Sequence, residues 1–232
     1  MSQHSRALAV LTFGLAVALS GLLVTKQVVA VTGEAESQRL HQAILDHVAE
    51  KNPQAPMKAF KGFPAVLLAE ARHADLDHCL VLAQAEVESQ FREDAVGRSG
   101  EIGLFQMLPS TAALLEPTLG PFRRPVMTRG RRDLGELGDP VVSTRFAMAH
   151  MRDILARKPN VKDALIEYNG GPGGRRDGYY RQVMGTYVEV LANPDLRCQG
   201  RPIVARGGPD TAPAPPFARS APGTPWRSSM ML

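Results

Sequence analysis

Glu88 is the carboxylate of this chain best placed for acid–base chemistry. It follows the apolar run CLVLAQA (Cys79 to Ala85) and precedes Ser89, Gln90 and Phe91. A carboxyl at a helix end beside apolar side chains is kept protonated by desolvation, the state a general acid needs near neutral pH. Glu86 lies two positions earlier. Two residues turn a helix by roughly 200°, so the carboxylates of Glu86 and Glu88 face opposite ways, one toward a cleft and one toward solvent. They are not a cooperating pair.

Two further segments carry groups suited to a polar ligand. In GEIGLFQMLP (Gly100 to Pro109) the glycines let backbone approach a ligand closely. Gln106 offers both donor and acceptor, which suits sugar hydroxyls and N-acetyl groups. Leu104, Phe105 and Met107 can wall a cleft. In IEYNGGPGG (Ile166 to Gly174) the Tyr168 hydroxyl can hold a carboxylate and Asn169 can bind an amide. Taken singly, each segment has a plainer explanation. The first is also what a helix-flanking turn looks like, and Asn before Gly is a common helix stop.

Short helices must position these groups. Pro64 at a first-turn position opens a helix to about Ala74, and Asp77 caps the one that carries Glu88. Pro109 starts a short helix to Leu115, and residues 116–138 read as a long loop. Asp139-Pro140 opens a helix that stops near Lys158-Pro159, and Asn160 caps VKDALIEYN. A last helix spans about Tyr179 to Ala192. No alternating strand pattern longer than a few residues is present; a small hairpin is allowed in residues 94–108. The class is mainly α.

The 232 residues divide into four zones. Residues 1–32 hold an uncharged run at residues 7–25, between Arg6 and Lys26, which predicts a signal peptide or a membrane anchor. The domain is therefore expected outside the cytoplasm: periplasmic, secreted, or tethered to the inner membrane. Residues 33–62 read as a stalk, with Leu40, Ile44 and Val48 on one stripe ended by Pro53 and Pro56. Residues 63–198 have the dense pattern of a domain. Residues 199–232, rich in Pro, Gly, Ala and Ser, read as a disordered tail.

The formal charge of +4 favours polyanionic surroundings without choosing among them. No nucleic-acid motif accompanies the basic loop with Arg123, Arg124, Arg129, Arg131 and Arg132, so nucleic acid is not expected as a partner. That loop is either solvated or a contact for acidic peptides or lipid headgroups. His73, Asp75, Asp77 and His78 lack structural-zinc spacing and read as a capped turn. No metal or cofactor is expected. Cys79 and Cys198 either pair as a disulfide, which an oxidising compartment permits, or are separate small hydrophobes.

Order and spacing of the three motifs carry more than each alone. Glu88-Ser89-Gln90-Phe91, then Gly100 through Ala112, then Tyr168 through Gly173 resemble the soluble-lytic-transglycosylase family of lysozyme-like domains. The resemblance covers about residues 63–192, and Asp139-Pro140 fits the family's middle helix. Ser143, Ala147 and His150 stand where that helix usually has Asn, Gly and Tyr. Phe105 replaces the usual Met, and Glu167 the usual Ala. The resemblance implies a two-lobed, mainly helical lysozyme-like domain that cuts peptidoglycan between N-acetylmuramic acid and N-acetylglucosamine. Glu88 would act first as acid, then as base, and the product would carry a 1,6-anhydro ring. Ser89, Phe105, Gln106, Tyr168 and Asn169 would line the site, with Tyr168 orienting Glu88. Two other readings compete. One is a goose-type-lysozyme-like hydrolase, with Glu93, Asp94 or Glu101 positioning water. The other is a non-catalytic glycan-binding subunit of an envelope-spanning assembly.

Overall fold

The helix that carries Glu88 is apolar on every side, so it must be covered on every side. In the computed structural model, which describes residues 33–128, 131–175 and 177–200, the rest of the domain packs around it. This helix, α3 (His78–Ser89), is continuously buried from His78 to Ala85. The side-chain oxygen of Asp77 accepts the Cys79 N–H at 3.0 Å and caps it. At the other end Gln90 and Phe91 both take left-handed torsions, with φ of 53° and 55°. The fully buried Phe91 ring anchors that turn.

Helix α7 (Gly178–Leu191) lies along α3 and buries Tyr179, Val183, Tyr187 and Val190, a stripe at helical spacing. The two helices run antiparallel, and tyrosine hydroxyls tie them at both ends. Tyr187 donates to Asp77 Oδ2 at 2.7 Å and Tyr179 donates to Glu88 Oε1. Helix α2 (Phe63–His73) packs on α3 and on α5 (Pro140–Leu155). Asp139 caps α5 by accepting the Val141 and Val142 N–H groups. Helices α4 (Pro109–Leu119) and α6 (Val161–Gly170) flank α5. The architecture is mainly helical with one small antiparallel sheet, as the residue pattern and the family resemblance led one to expect.

The hairpin lies elsewhere than expected. It joins β1 (Val126–Thr128) to β2 (Arg131–Asp133), pairing Val126 with Asp133 and Thr128 with Arg131. Residues 94–108 form only the bridges Val96–Ile102 and Ile102–Met107. Gly100 and Gly103 sit at φ of 91° and 75° and break any extended run there. Helix α4 continues to Leu119, past the expected stop, with Pro117 in its last turn at the cost of one intrahelical hydrogen bond.

Residues 33–42 are helical and belong to a separate unit. Residues 43–62, expected as the rest of a stalk, pack as part of the domain. Their helical portion, α1 (residues 43–51), buries Ile44, His47 and Val48, and Phe60 is fully buried beyond it. The stripe that read as a free-standing helix is a face seeking α3. The domain's other limit also moves outward. Cys79 and Cys198 form a disulfide with Cα atoms 5.5 Å apart, and the Gly200 N–H donates to Asp77 Oδ2 at 3.0 Å. The expected export segment 1–32 lies outside the described residues, as do residues 201–232 of the expected tail. Among the described residues no helix is long and apolar enough to cross a membrane.

Candidate active site

Glu88 ends α3 on the side facing α7, and its residue surface is 6% exposed. Tyr179, in the first turn of α7, donates its hydroxyl proton to Glu88 Oε1 at 2.5 Å. Burial pushes the Tyr179 hydroxyl far above its ordinary range, and the nearby Glu88 charge adds to that. Tyr168 behaves the same way for the same two reasons. Both phenols therefore stay protonated and act as donors across the working pH range. The Tyr168 donor goes to the Phe105 carbonyl oxygen at 3.0 Å. Tyr179 thus holds the Glu88 carboxyl through its hydroxyl, while Tyr168 fixes the loop opposite.

That loop, residues 97–108, is held at several points. Ser89 Oγ donates to the Leu104 carbonyl at 2.9 Å, which ties the end of α3 to the loop. The Phe105 N–H donates to Ser143 Oγ at 3.4 Å, which ties the loop to α5. Gly103 has no substitute: a Cβ there would collide with the Leu137 carbonyl. Gln106 takes a left-handed φ of 47° and spends its side-chain N–H groups on Gly103 O at 2.9 Å and Ala95 O at 3.4 Å. Among the described residues, three of the five non-glycine residues at positive φ, Gln90, Phe91 and Gln106, lie next to Glu88 or within this loop. Backbone strain gathered in this way marks a surface shaped for something other than stability.

The expected site residues therefore play different parts. Gln106 and Asn169 are partly exposed and can reach a ligand. Ser89 is 2% exposed and Phe105 fully buried, so each shapes the site from behind. Tyr179 was not singled out in the sequence. Its signal was available: a tyrosine on the buried stripe of an amphipathic helix needs a partner for its hydroxyl.

The positions that depart from the usual family pattern form a coherent group. Glu167, 4% exposed, accepts from Arg157 and from Lys158, the latter at 2.6 Å. Burial opposes its ionisation, but those hydrogen bonds and charges hold its pKa below the ordinary carboxylate value. His150 packs on Tyr168 with ring centroids 5.6 Å apart. Burial, aided by the Arg157 charge, pushes His150 down to about 4, so it is neutral at pH 7.

Glu86 does face away from Glu88, but toward α1 rather than solvent. It bonds His47 Nε2 at 3.1 Å and Lys51 Nζ at 3.0 Å. Burial alone would raise its pKa; the two hydrogen bonds and their charges outweigh that and lower it below 4.5. A lowered folded pKa stabilises the fold fully above the unfolded value and loses that contribution as pH falls through the folded one. The Lys51 ammonium is raised above 10.5, first by its hydrogen bond to Glu86, so its contribution is complete below 10.5. Glu86→Gln is therefore expected to cost roughly 1–3 kcal/mol at neutral pH, with the deficit fading as pH drops through the acid range. Thermal unfolding of both proteins across pH 2–8 checks this; a deficit independent of pH would rule out the ion pair as its source.

The family model for the transglycosylase SLT domain matches residues 66–183. Among solved structures, the chain is similar to an inactive mutant of lytic transglycosylase Slt from Pseudomonas aeruginosa, with 21% sequence identity and a TM-score of 0.44. The match covers 62% of this chain and 26% of that one, so the chain spans about a quarter of that protein's length. No curated protein matches the chain.

Proposed function

This chain belongs to the transglycosylase SLT domain family, whose model spans about half of it, and on that premise we propose that it is a peptidoglycan lytic transglycosylase with Glu88 as its acid and base. The observation that carries this reading is the buried Glu88 carboxyl held by the Tyr179 hydroxyl at 2.5 Å. A donor bound to Oε1 leaves the proton of the acid form on Oε2. Glu88 would give that proton to the glycosidic oxygen between N-acetylmuramic acid and N-acetylglucosamine. The substrate's own N-acetyl group would help stabilise the oxocarbenium-like centre. The carboxylate left behind is buried, and the Tyr179 hydrogen bond offsets part of its desolvation. It would then take the proton of the muramic acid C6 hydroxyl as that oxygen bonds to C1. The 1,6-anhydro ring closes and Glu88 regains its proton, with no water consumed. A second catalytic carboxylate is not required, unlike in the usual glycosidase schemes.

Gln106 and Asn169, partly exposed on either side, are the groups available to hold the glycan's hydroxyl and amide groups. The apolar run at residues 7–25 supports export to the periplasm or tethering to the inner membrane, where peptidoglycan and envelope-spanning machinery would be the partners. A reporter that works only outside the cytoplasm, fused after Leu232, should be active; silence there would refute export. Purified sacculi incubated with the protein should release soluble muropeptides, and unchanged sacculi would refute the activity.

Tyr179→Phe removes one hydrogen bond to a charged group and little else. The expected loss in kcat/KM is about 10–100-fold, from roughly 1.5–3 kcal/mol. The lost donor favours the carboxylate form, so the alkaline limb of the pH profile should move to higher pH. Tyr168→Phe should leave that limb closer to its place. If Tyr168→Phe moved it more than Tyr179→Phe, the roles assigned to the two tyrosines would be reversed.

A further inference from the structure

Gln84 is a buried amide that none of the steps above uses. It is 1% exposed, and its side-chain nitrogen, Nε2, is buried with no hydrogen-bond partner. A buried donor without an acceptor costs free energy, and an apolar side chain of the same size would avoid that cost. Such a group persists where something other than stability retains it.

Its place in the fold suggests what that is. Gln84 precedes Glu88 by four residues on α3, so the two side chains share one face, a turn apart. Asp77, Val81, Gln84 and Glu88 are spaced as one stripe of that helix. Its two ends meet α7, where Tyr187 bonds Asp77 and Tyr179 bonds Glu88. Gln84 therefore lies on the seam between the two helices, beneath Glu88. Its amide acts on the Tyr179 hydroxyl as a side-chain donor, the one influence that opposes the rise in that hydroxyl's pKa. The amide is thus near enough to be felt at the phenol oxygen, while the hydrogen bond itself is not completed. That oxygen gives its own proton to Glu88 Oε1 and keeps lone pairs with which to accept. Among the described residues, the titratable groups that respond to the Glu88 charge are Tyr179 of α7 and Tyr168 of α6, with His150 of α5 packed behind Tyr168.

We propose that Gln84 is a positioning residue that acts on Glu88 through Tyr179, its Nε2–H donating to the Tyr179 oxygen once Glu88 is a carboxylate. The inference rests on the reading of Glu88 as acid and base. While Glu88 holds its proton it draws only weakly on the Tyr179 hydroxyl, and the amide is left over. Once Glu88 has given that proton up, the carboxylate draws harder, the phenol oxygen gains negative charge, and the Gln84 N–H meets a stronger acceptor. No proton is transferred along the chain from Gln84 to Tyr179 to Glu88. The donor left unpaired at rest is used in the ionised state through which cleavage passes.

The discriminating variant is Gln84→Met, which keeps the length of the side chain and removes the donor. Gln84→Asn, which withdraws the amide by one methylene, serves in its place should Gln84→Met not fold. The reporter is the carbon-13 carboxyl signal of Glu88 in the full-length protein, titrated by NMR, which needs no substrate. Loss of the Gln84 donor should move the Glu88 titration midpoint to higher pH, in the direction expected for Tyr179→Phe. In a Tyr179→Phe background the same change should move it no further, because the route is gone. The melting temperature of Gln84→Met should hold or rise, since an unpaired buried donor has been removed. In cleavage of soluble peptidoglycan fragments kcat should fall about 2- to 10-fold, the worth of one neutral hydrogen bond, with KM unchanged. An unmoved midpoint overturns the role, whatever the melting temperature does. A midpoint at lower pH also overturns it, because the amide would then be competing with Glu88 for the Tyr179 hydroxyl. A shift that persists in the Tyr179→Phe background overturns the route through Tyr179. If the midpoint moves as expected while the wild type leaves sacculi intact, the proposed activity fails and the hydrogen-bond chain stands.

Discussion

Replacing Glu88 with Gln is expected to abolish peptidoglycan cleavage while leaving the fold intact. General acid–base catalysis contributes about 10²–10⁴-fold in rate. In the proposed mechanism one residue would serve both half-reactions, so the loss should lie at the upper end or beyond. The amide keeps the size of the side chain, and its oxygen can still accept from Tyr179. The melting temperature should hold or rise, because a buried carboxyl at a site costs stability through desolvation. Glu86→Gln is the matched control on the same helix. Its role against α1 makes it a stability mutant, so activity has to be compared per folded molecule, well below its unfolding temperature. Retained cleavage by Glu88→Gln would break the single-acid mechanism. Lost cleavage by Glu86→Gln in the folded state would mean the wrong carboxylate had been chosen.

The second large effect concerns the disulfide. Cys79 opens α3 and Cys198 follows α7, 119 residues apart. In the chain-entropy model a loop of that length stabilises the fold by about 5 kcal/mol. For a domain of this size that corresponds to roughly 10–20 °C in melting temperature. The Cys79→Ser, Cys198→Ser double variant should show a drop of this order, and reducing agent should lower the wild type to the same point. The disulfide also joins the two helices that bring Glu88 and Tyr179 together, so activity should fall at temperatures where the oxidised protein is still fully active. Equal melting temperatures with and without reductant would show that α3 and α7 hold without it. The hydrogen bonds from Tyr187 and Gly200 to Asp77 would then carry that end.

Much of the fold was legible because its helices are marked by local chemistry. Asp77, Asp139 and Asn160 cap helices as their side chains suggest, and each accepts the expected N–H groups. The apolar run of α3 required burial on all sides. What could not be read locally depends on contacts far apart in the chain. Ile44 and Val48 look the same on a free helix as on one packed against the domain; only the partner face decides. The hairpin at Val126–Asp133 has no alternation long enough to be seen. Glu86 was assigned the correct direction from helix geometry, but what lay in that direction, His47 and Lys51, was not. The same holds at the site. Glu88, Gln106 and Asn169 stand in motifs and could be proposed from them. Tyr179 stands in no motif, and its partner lies 91 positions away.

Glu88 is proposed to drive an intramolecular ring closure rather than hydrolysis, and the mass of the products decides between the two. Purified sacculi are digested with the wild-type protein and the released muropeptides are read by mass spectrometry without prior reduction. The mechanism predicts ends that are one water lighter than ordinary muramic acid ends and that resist borohydride reduction, as a 1,6-anhydro ring must. Products with reducible, hydrated ends would contradict it and identify a hydrolase, with water in place of the C6 hydroxyl.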